Sequence, residues 1–155
     1  MRRHALAALC LFAAALPSRT LAATCSVSAT GTAFGSYDTL SLLDSDSTGT
    51  ITVSCTTGIA LLFGYDIKLS AGSAGSYSPR KLASGGNTLN YNLYTSVLRT
   101  TIWGDGTGGS SIVSDSFLLS IGTTNKNYTV YGRIPARQNA ASGGYADTIT
   151  VSVIY

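Results

Sequence analysis

Apolar and polar residues alternate along most of the chain after residue 22. An alternation with a period of two predicts β-strands that turn one face towards a core. Stretches rich in Gly, Ser and Asp separate the alternating segments and predict turns, as in residues 44–49, 84–87, 104–109 and 142–144. Because strands of this length and spacing are typical of sandwiches, the pattern predicts an all-β, antiparallel β-sandwich. The strands are predicted at residues 25–30, 50–55, 65–70, 89–94, 117–121, 128–134 and 148–155.

The first 22 residues have a different character. Arg2 and Arg3 precede an apolar run over residues 5–16, and Thr20-Leu21-Ala22 offers small residues at a cleavage site. This pattern is typical of a secretory signal peptide, and the run is too short to span a bilayer. We therefore predict a signal peptide at residues 1–22 and one β-sandwich domain at residues 23–155, exported without membrane insertion.

Removal of a signal peptide changes the net charge of the chain, and export to an oxidising compartment favours disulfide formation between its cysteines. Of the ten Lys and Arg residues three lie in the signal segment, so seven remain against seven acidic residues, all of them Asp. A mature domain of near-zero net charge gives no support for binding nucleic acid. Cys25 and Cys55 remain as an even pair in an exported chain, and both fall on the apolar parity of their strands. They predict one disulfide on the core side.

Catalytic and metal-binding constellations are weak. The single His, His4, lies in the signal segment, which removes Ser–His, Cys–His and zinc sites from the mature chain, and we predict neither an enzyme nor a cofactor. Asp44, Asp46 and Thr48 have the spacing of the first half of a calcium loop, but Cys55 stands where its glutamate belongs. We interpret residues 44–49 as a turn.

Trp103 and Asp105 lie in a Trp-Gly-Asp-Gly segment. An exposed Trp beside a polar turn can stack on a sugar ring, so this loop is a candidate surface-binding site. The alternative interpretation is a Trp that packs at the edge of the sandwich.

Several short motifs, in their order and spacing, resemble the spore coat protein U domain, the domain of Csu-type archaic chaperone–usher pilins. The resemblance covers essentially all of residues 25–155. The motifs are Cys25-x-Val27, Phe34-Gly35-x-Tyr37, Gly49-Thr50-Ile51-x-Val53-x-Cys55, Leu89-x-Tyr91-x-Leu93-Tyr94, Trp103-Gly104-Asp105-Gly106, Tyr131-Gly132-Arg133-Ile134-Pro135 and Gly143-Gly144-Tyr145-x-Asp147, followed by a valine-rich strand.

The resemblance implies an immunoglobulin-like, pilin-type sandwich that is incomplete because its last strand is missing. A periplasmic chaperone would fill the resulting groove by β-augmentation, and a neighbouring pilin subunit would replace it at an outer-membrane usher. The product would be a surface pilus, or fimbria, that contributes to adhesion and biofilm formation. The final strand would form one wall of the groove through Ile149, Val151, Val153 and Tyr155.

The sequence departs from that pattern at its N-terminus. With cleavage after Ala22, only Ala23 and Thr24 precede Cys25, whereas a donor strand needs roughly ten residues at about 3.3 Å each. We therefore expect a subunit that accepts a strand without donating one, at the tip of a fibre or as a chain terminator. A wrongly assigned start codon would also explain why so few residues precede Cys25. Two other functions stay open, a self-associating secreted coat or matrix protein and a small sugar-binding domain.

Overall fold

The computed structural model describes residues 23–155, so the predicted signal peptide lies outside the described residues. Within them the chain forms eight β-strands, and all the strand pairs are antiparallel. In chain order these are β1 (Thr24–Thr30), β2 (Ser45–Thr57), β3 (Leu61–Leu69), β4 (Arg80–Ser84), β5 (Asn87–Tyr94), β6 (Val113–Leu119), β7 (Gly122–Ile134) and β8 (Val151–Ile154).

The strands form two sheets, one with the order β1-β2-β7-β5-β4 and one with the order β6-β3-β8. Alternate side chains of the strands meet in one core, as the period-two pattern requires. Ile51, Ile67, Leu89 and Leu119 are at most 2% exposed. The predicted all-β antiparallel sandwich is therefore confirmed.

Several details of the strand prediction are wrong. Residues 45–49 belong to β2 rather than to a turn, and Arg80–Ser84 forms a strand that the pattern did not predict. The strand predicted over 117–121 covers 113–119 instead, which leaves Ile121 72% exposed. Tyr155, predicted to face inwards, is 59% exposed.

In residues 23–155, no helix has the length and apolar character needed to cross a membrane.

Candidate functional site

An apolar groove of about 880 Å³ runs along the sandwich beside β8. Its floor is the inner face of the five-stranded sheet, and the floor side chains are aliphatic or aromatic. The floor residues are at most 5% exposed. The two sides of the groove are the end of β1 with the segment after it, residues 29–37, and the segment that leads into β8, residues 140–147 with Ile149 and Val151. The floor is formed by Ile51, Leu89, Tyr91, Leu93 and Val130.

The strand β8 forms an edge of the three-stranded sheet, and among the described strands it pairs only with β3. Its other edge has main-chain groups that no described strand bonds, which is the usual template for an added strand. Ile149 and Val151 line the groove, whereas Val153 and Tyr155 do not. Of the four residues predicted for the groove wall, the structure therefore brings two into it.

Tyr155 lies beyond the groove, where β8 approaches β1. Its hydroxyl accepts a hydrogen bond from the Cys25 N–H at 3.3 Å, and its ring centroid lies 5.4 Å from that of Phe63. Cys25 is opposite Cys55 in the β1–β2 ladder and is bonded to it, which confirms the predicted disulfide. Cys55 is 0% exposed, so the bridge lies on the core side.

The segment after β1 covers part of the groove floor, and two glycines make room for it. A Cβ atom on Gly49 would lie 2.6 Å from the Thr30 carbonyl oxygen, and one on Gly132 would lie 2.7 Å from the Phe34 ring. Phe34 makes an edge contact with Tyr91 at 6.1 Å between ring centroids, and Ser47 Oγ donates to the Ala33 carbonyl at 2.7 Å. Residues 30–34 are therefore held across the sheet by fit and by hydrogen bonds.

At the other end of the groove, Asp147 joins the floor to the segment leading into β8. Its carboxylate accepts hydrogen bonds from the Tyr91 hydroxyl at 2.7 Å and from the backbone N–H groups of Ser73 and Thr148, both at 2.8 Å. Burial disfavours its charged form, but these bonds outweigh burial and hold the pKa of Asp147 below its usual value. Burial first, and then the bond to Asp147, raises the pKa of Tyr91 well above its ordinary value.

Arg80 lies opposite the floor residue Tyr91 in the β4–β5 ladder and is 0% exposed. Its guanidinium donates to the carbonyls of Ser70 and Trp103 and to the side-chain oxygen of Asn92. Burial lowers the pKa of Arg80. The residue pattern did not predict Arg80 as a core residue, because a single Arg at the start of a short strand gives no sign of burial.

The structure corrects the surface-binding prediction for Trp103. This residue is 1% exposed, and its indole N–H donates to the Ile67 carbonyl at 3.0 Å. It has no open face on which a sugar could stack, so the alternative of a packed Trp is confirmed. Asp105 accepts from the N–H and the hydroxyl of Thr107 at 2.9 and 2.7 Å, and these bonds close the turn and lower its pKa.

The acidic residues at the start of β2 bind arginine. Arg133 donates to both carboxylate oxygens of Asp46 at 2.7 and 2.8 Å and lies 3.2 Å from Asp44. The part of the chain that the structure describes has no group of three or more metal-ligating side chains.

Comparisons with known proteins agree with this architecture. The family model described as Spore Coat Protein U domain matches residues 10–152. The chain is similar to "Protein U" of Myxococcus xanthus, at 29% identity over 131 residues that cover 79% of this chain and 70% of that protein.

A solved structure shares the fold. It is the crystal structure of the CsuC–CsuE chaperone–tip adhesion subunit pre-assembly complex from archaic chaperone–usher Csu pili of Acinetobacter baumannii. One of its chains matches with a TM-score of 0.59 and 20% sequence identity, over 86% of this chain and 40% of that chain. This protein therefore spans less than half of the matched chain, and the likeness shows the fold alone. With a family match over most of its length and the sandwich that its sequence pattern predicts, the chain belongs to the Spore Coat Protein U domain family.

Proposed function

We propose that this protein is an exported structural subunit of a chaperone–usher surface pilus, and that its groove accepts a β-strand from an assembly partner. The observation that carries the proposal is the unpaired edge of β8 beside an apolar groove. A strand added there would bond to the main chain of β8 and place alternate apolar side chains on the floor. This requires no catalytic residue, in keeping with a structural role.

The partners follow from the same chemistry. A periplasmic chaperone would supply the first strand, and a second pilin subunit would replace it at an outer-membrane usher. The supporting relative is the Csu assembly, whose name describes a chaperone with a tip adhesion subunit before assembly. By this analogy the subunit would serve adhesion and biofilm formation at the cell surface.

Its place in the fibre depends on the residues ahead of β1. Cys25 is paired within β1 and bonded to Cys55, so a donor strand would have to be formed by residues before it. A mature chain that starts at Ala23 would only accept a strand, and would sit at the tip or terminate the fibre. Mass spectrometry of the exported protein determines that start, and a mature chain with roughly ten further apolar residues contradicts the terminator hypothesis.

A peptide experiment tests strand acceptance. An extended peptide of about ten alternating apolar residues, added to the purified wild-type domain, should raise its melting temperature. Val151→Asp places a charge in the groove and should abolish the response, whereas Ser152→Asp, one residue away on the exposed side of β8, should retain it. A wild-type domain that is stable, monomeric and indifferent to the peptide contradicts strand acceptance. Self-association without any added strand favours the coat or matrix function instead.

A further inference from the structure

The groove presents a mechanical problem, because two apolar walls in water tend to approach each other and expel the water between them. The floor belongs to one sheet, and β8 belongs to the other. Some feature has to fix the distance between them before a strand arrives. The described structure has polar connections between the two sheets at one end of the groove, and they involve Arg80 and Asp147.

Arg80 makes the first connection. It lies in β4, opposite Tyr91 of β5, and its Nε and Nη2 atoms donate to the carbonyl of Ser70, which follows β3, at 3.1 and 2.8 Å. Nη1 donates to the Asn92 side chain at 2.8 Å. The guanidinium is therefore bonded at once to a residue of β5 and to the end of β3, and its planar fork sets the separation.

Asp147 makes the second connection. Its carboxylate holds the hydroxyl of Tyr91, a floor residue, while its own backbone belongs to the segment that leads into β8. The two connections meet through Ser70, whose N–H donates to the Thr150 carbonyl at 2.9 Å and whose hydroxyl accepts from the Thr150 N–H at 2.9 Å. The residue bonded by Arg80 is thus bonded to the same lead-in segment that carries Asp147.

A buried arginine without a bonded carboxylate is a costly way to stabilise a fold, because its charge is desolvated. Among the described residues its hydrogen-bond partners are two carbonyls and one amide oxygen. Even a fully paired buried ionic group is often replaced by well-packed apolar residues of similar volume without loss of stability. A role in fixing geometry accounts for the arginine better than a role in stability.

We propose that Arg80 and Asp147 are positioning residues that act as spacers, and that they set the width of the groove before a strand enters. The inference rests on the proposed function for the identity of what enters. Without the spacers, β8 and the segment leading into it would settle onto the floor. An incoming strand would then have to reopen the groove, which slows association while leaving dissociation of the completed complex nearly unchanged.

The first test measures the width without any ligand. Nitroxide labels at Thr88 on β5 and Thr150 beside β8, both exposed, report the separation of the two sheets by pulsed electron paramagnetic resonance. Tyr91→Phe removes only the hydroxyl bonded to Asp147, and Asp147→Asn removes the negative charge of the carboxylate. Arg80→Met removes the guanidinium group. Each should shift the distance distribution to shorter values. The control Arg133→Met removes an arginine bonded on the outer side of β7 and should leave the distribution unchanged.

The second test measures association of the apolar peptide. Tyr91→Phe and Asp147→Asn should lower the association rate constant on the order of tenfold with little change in dissociation. Unchanged label distances in Tyr91→Phe and Asp147→Asn overturn the spacer role, whatever the peptide does. Equal losses in association for these variants and for Arg133→Met overturn it as well, since they indicate a general loss of stability. Shorter distances together with a wild-type domain that binds no peptide support the spacers and contradict the proposed function.

Discussion

The ring of Phe34 occupies the space that a side chain on Gly132 would need, with 2.7 Å between Phe34 Cζ and a Cβ atom built on that glycine. Gly132 lies on the inward parity of β7, between Val130 and Ile134, where the pattern alone would place an aliphatic residue. The glycine therefore lets the segment after β1 cross the sheet and cover one part of the groove floor.

Gly132→Ala should force Phe34 out of its position. Overpacking of a filled core typically costs about 1–3 kcal/mol, so the free energy of unfolding in urea should fall by that amount. Gly31→Ala is the matched control, because nothing lies within 4 Å of a Cβ atom there. An equal effect of both substitutions contradicts the proposed fit of Phe34 over Gly132.

The disulfide should supply a large part of the stability of the domain. Cys25 and Cys55 are 30 residues apart, and closing a loop of that length in the unfolded chain stabilises the fold by roughly 3–4 kcal/mol. The double substitution Cys25→Ala and Cys55→Ala should lose about that amount in urea denaturation. Reduction of the wild-type protein provides the control, and a reduced protein as stable as the oxidised one would refute the prediction.

Trp103, the single Trp of the chain, offers an intrinsic probe of the core. At 1% exposure its fluorescence should be blue-shifted and resist quenching by acrylamide in the native state, and it should become quenchable on unfolding. Trp103→Phe removes the hydrogen bond from the indole N–H to the Ile67 carbonyl, a loss of about 0.5–1.5 kcal/mol. Strong quenching in the folded protein would show that the indole is exposed after all.

The alternation of residues predicted the sandwich because a strand with one face in the core carries apolar residues at every second position. Tyr65, Ile67 and Leu69 are all at most 4% exposed, as their pattern requires. The same reasoning failed for Tyr155, which alternates correctly but lies one residue beyond the end of β8 and is 59% exposed. Periodicity shows which side chains of a strand point towards the core. It does not show whether the opposite sheet extends far enough to cover them.

Only part of the candidate site could be predicted from the sequence, because contacts made by distant segments leave no local pattern. Ile149 and Val151 could be placed beside the groove from their parity and from the family resemblance. Arg80 could not, because its burial depends on carbonyl groups that distant segments bring to it. The cover by Phe34 likewise depends on a crossing of the chain that no local pattern specifies.

Acid should destabilise the domain through Asp46 and Asp147. The bond from Arg133 is the main cause that lowers the pKa of Asp46, while hydrogen bonds from Ser73 and Tyr91 outweigh burial in lowering the pKa of Asp147. A lowered pKa in the folded state means that the unfolded chain takes up protons first. Each carboxylate therefore stabilises the fold fully above its unfolded value of about 3.9, and this contribution is lost as pH falls through the lower folded value.

The midpoint of urea denaturation, measured from about pH 7 down to about pH 3, should therefore fall most steeply below about pH 4. Asp46→Asn should flatten that fall, and Arg133→Met should flatten it by the same route, since each substitution removes one side of the same fork. The double variant should lose less than the sum of the two single variants, because the Arg133–Asp46 interaction can be lost only once, whereas the Arg133–Asp44 and Arg99–Asp46 pairs are lost separately. Additive effects of the two substitutions would show that Asp46 owes its low pKa to groups other than Arg133.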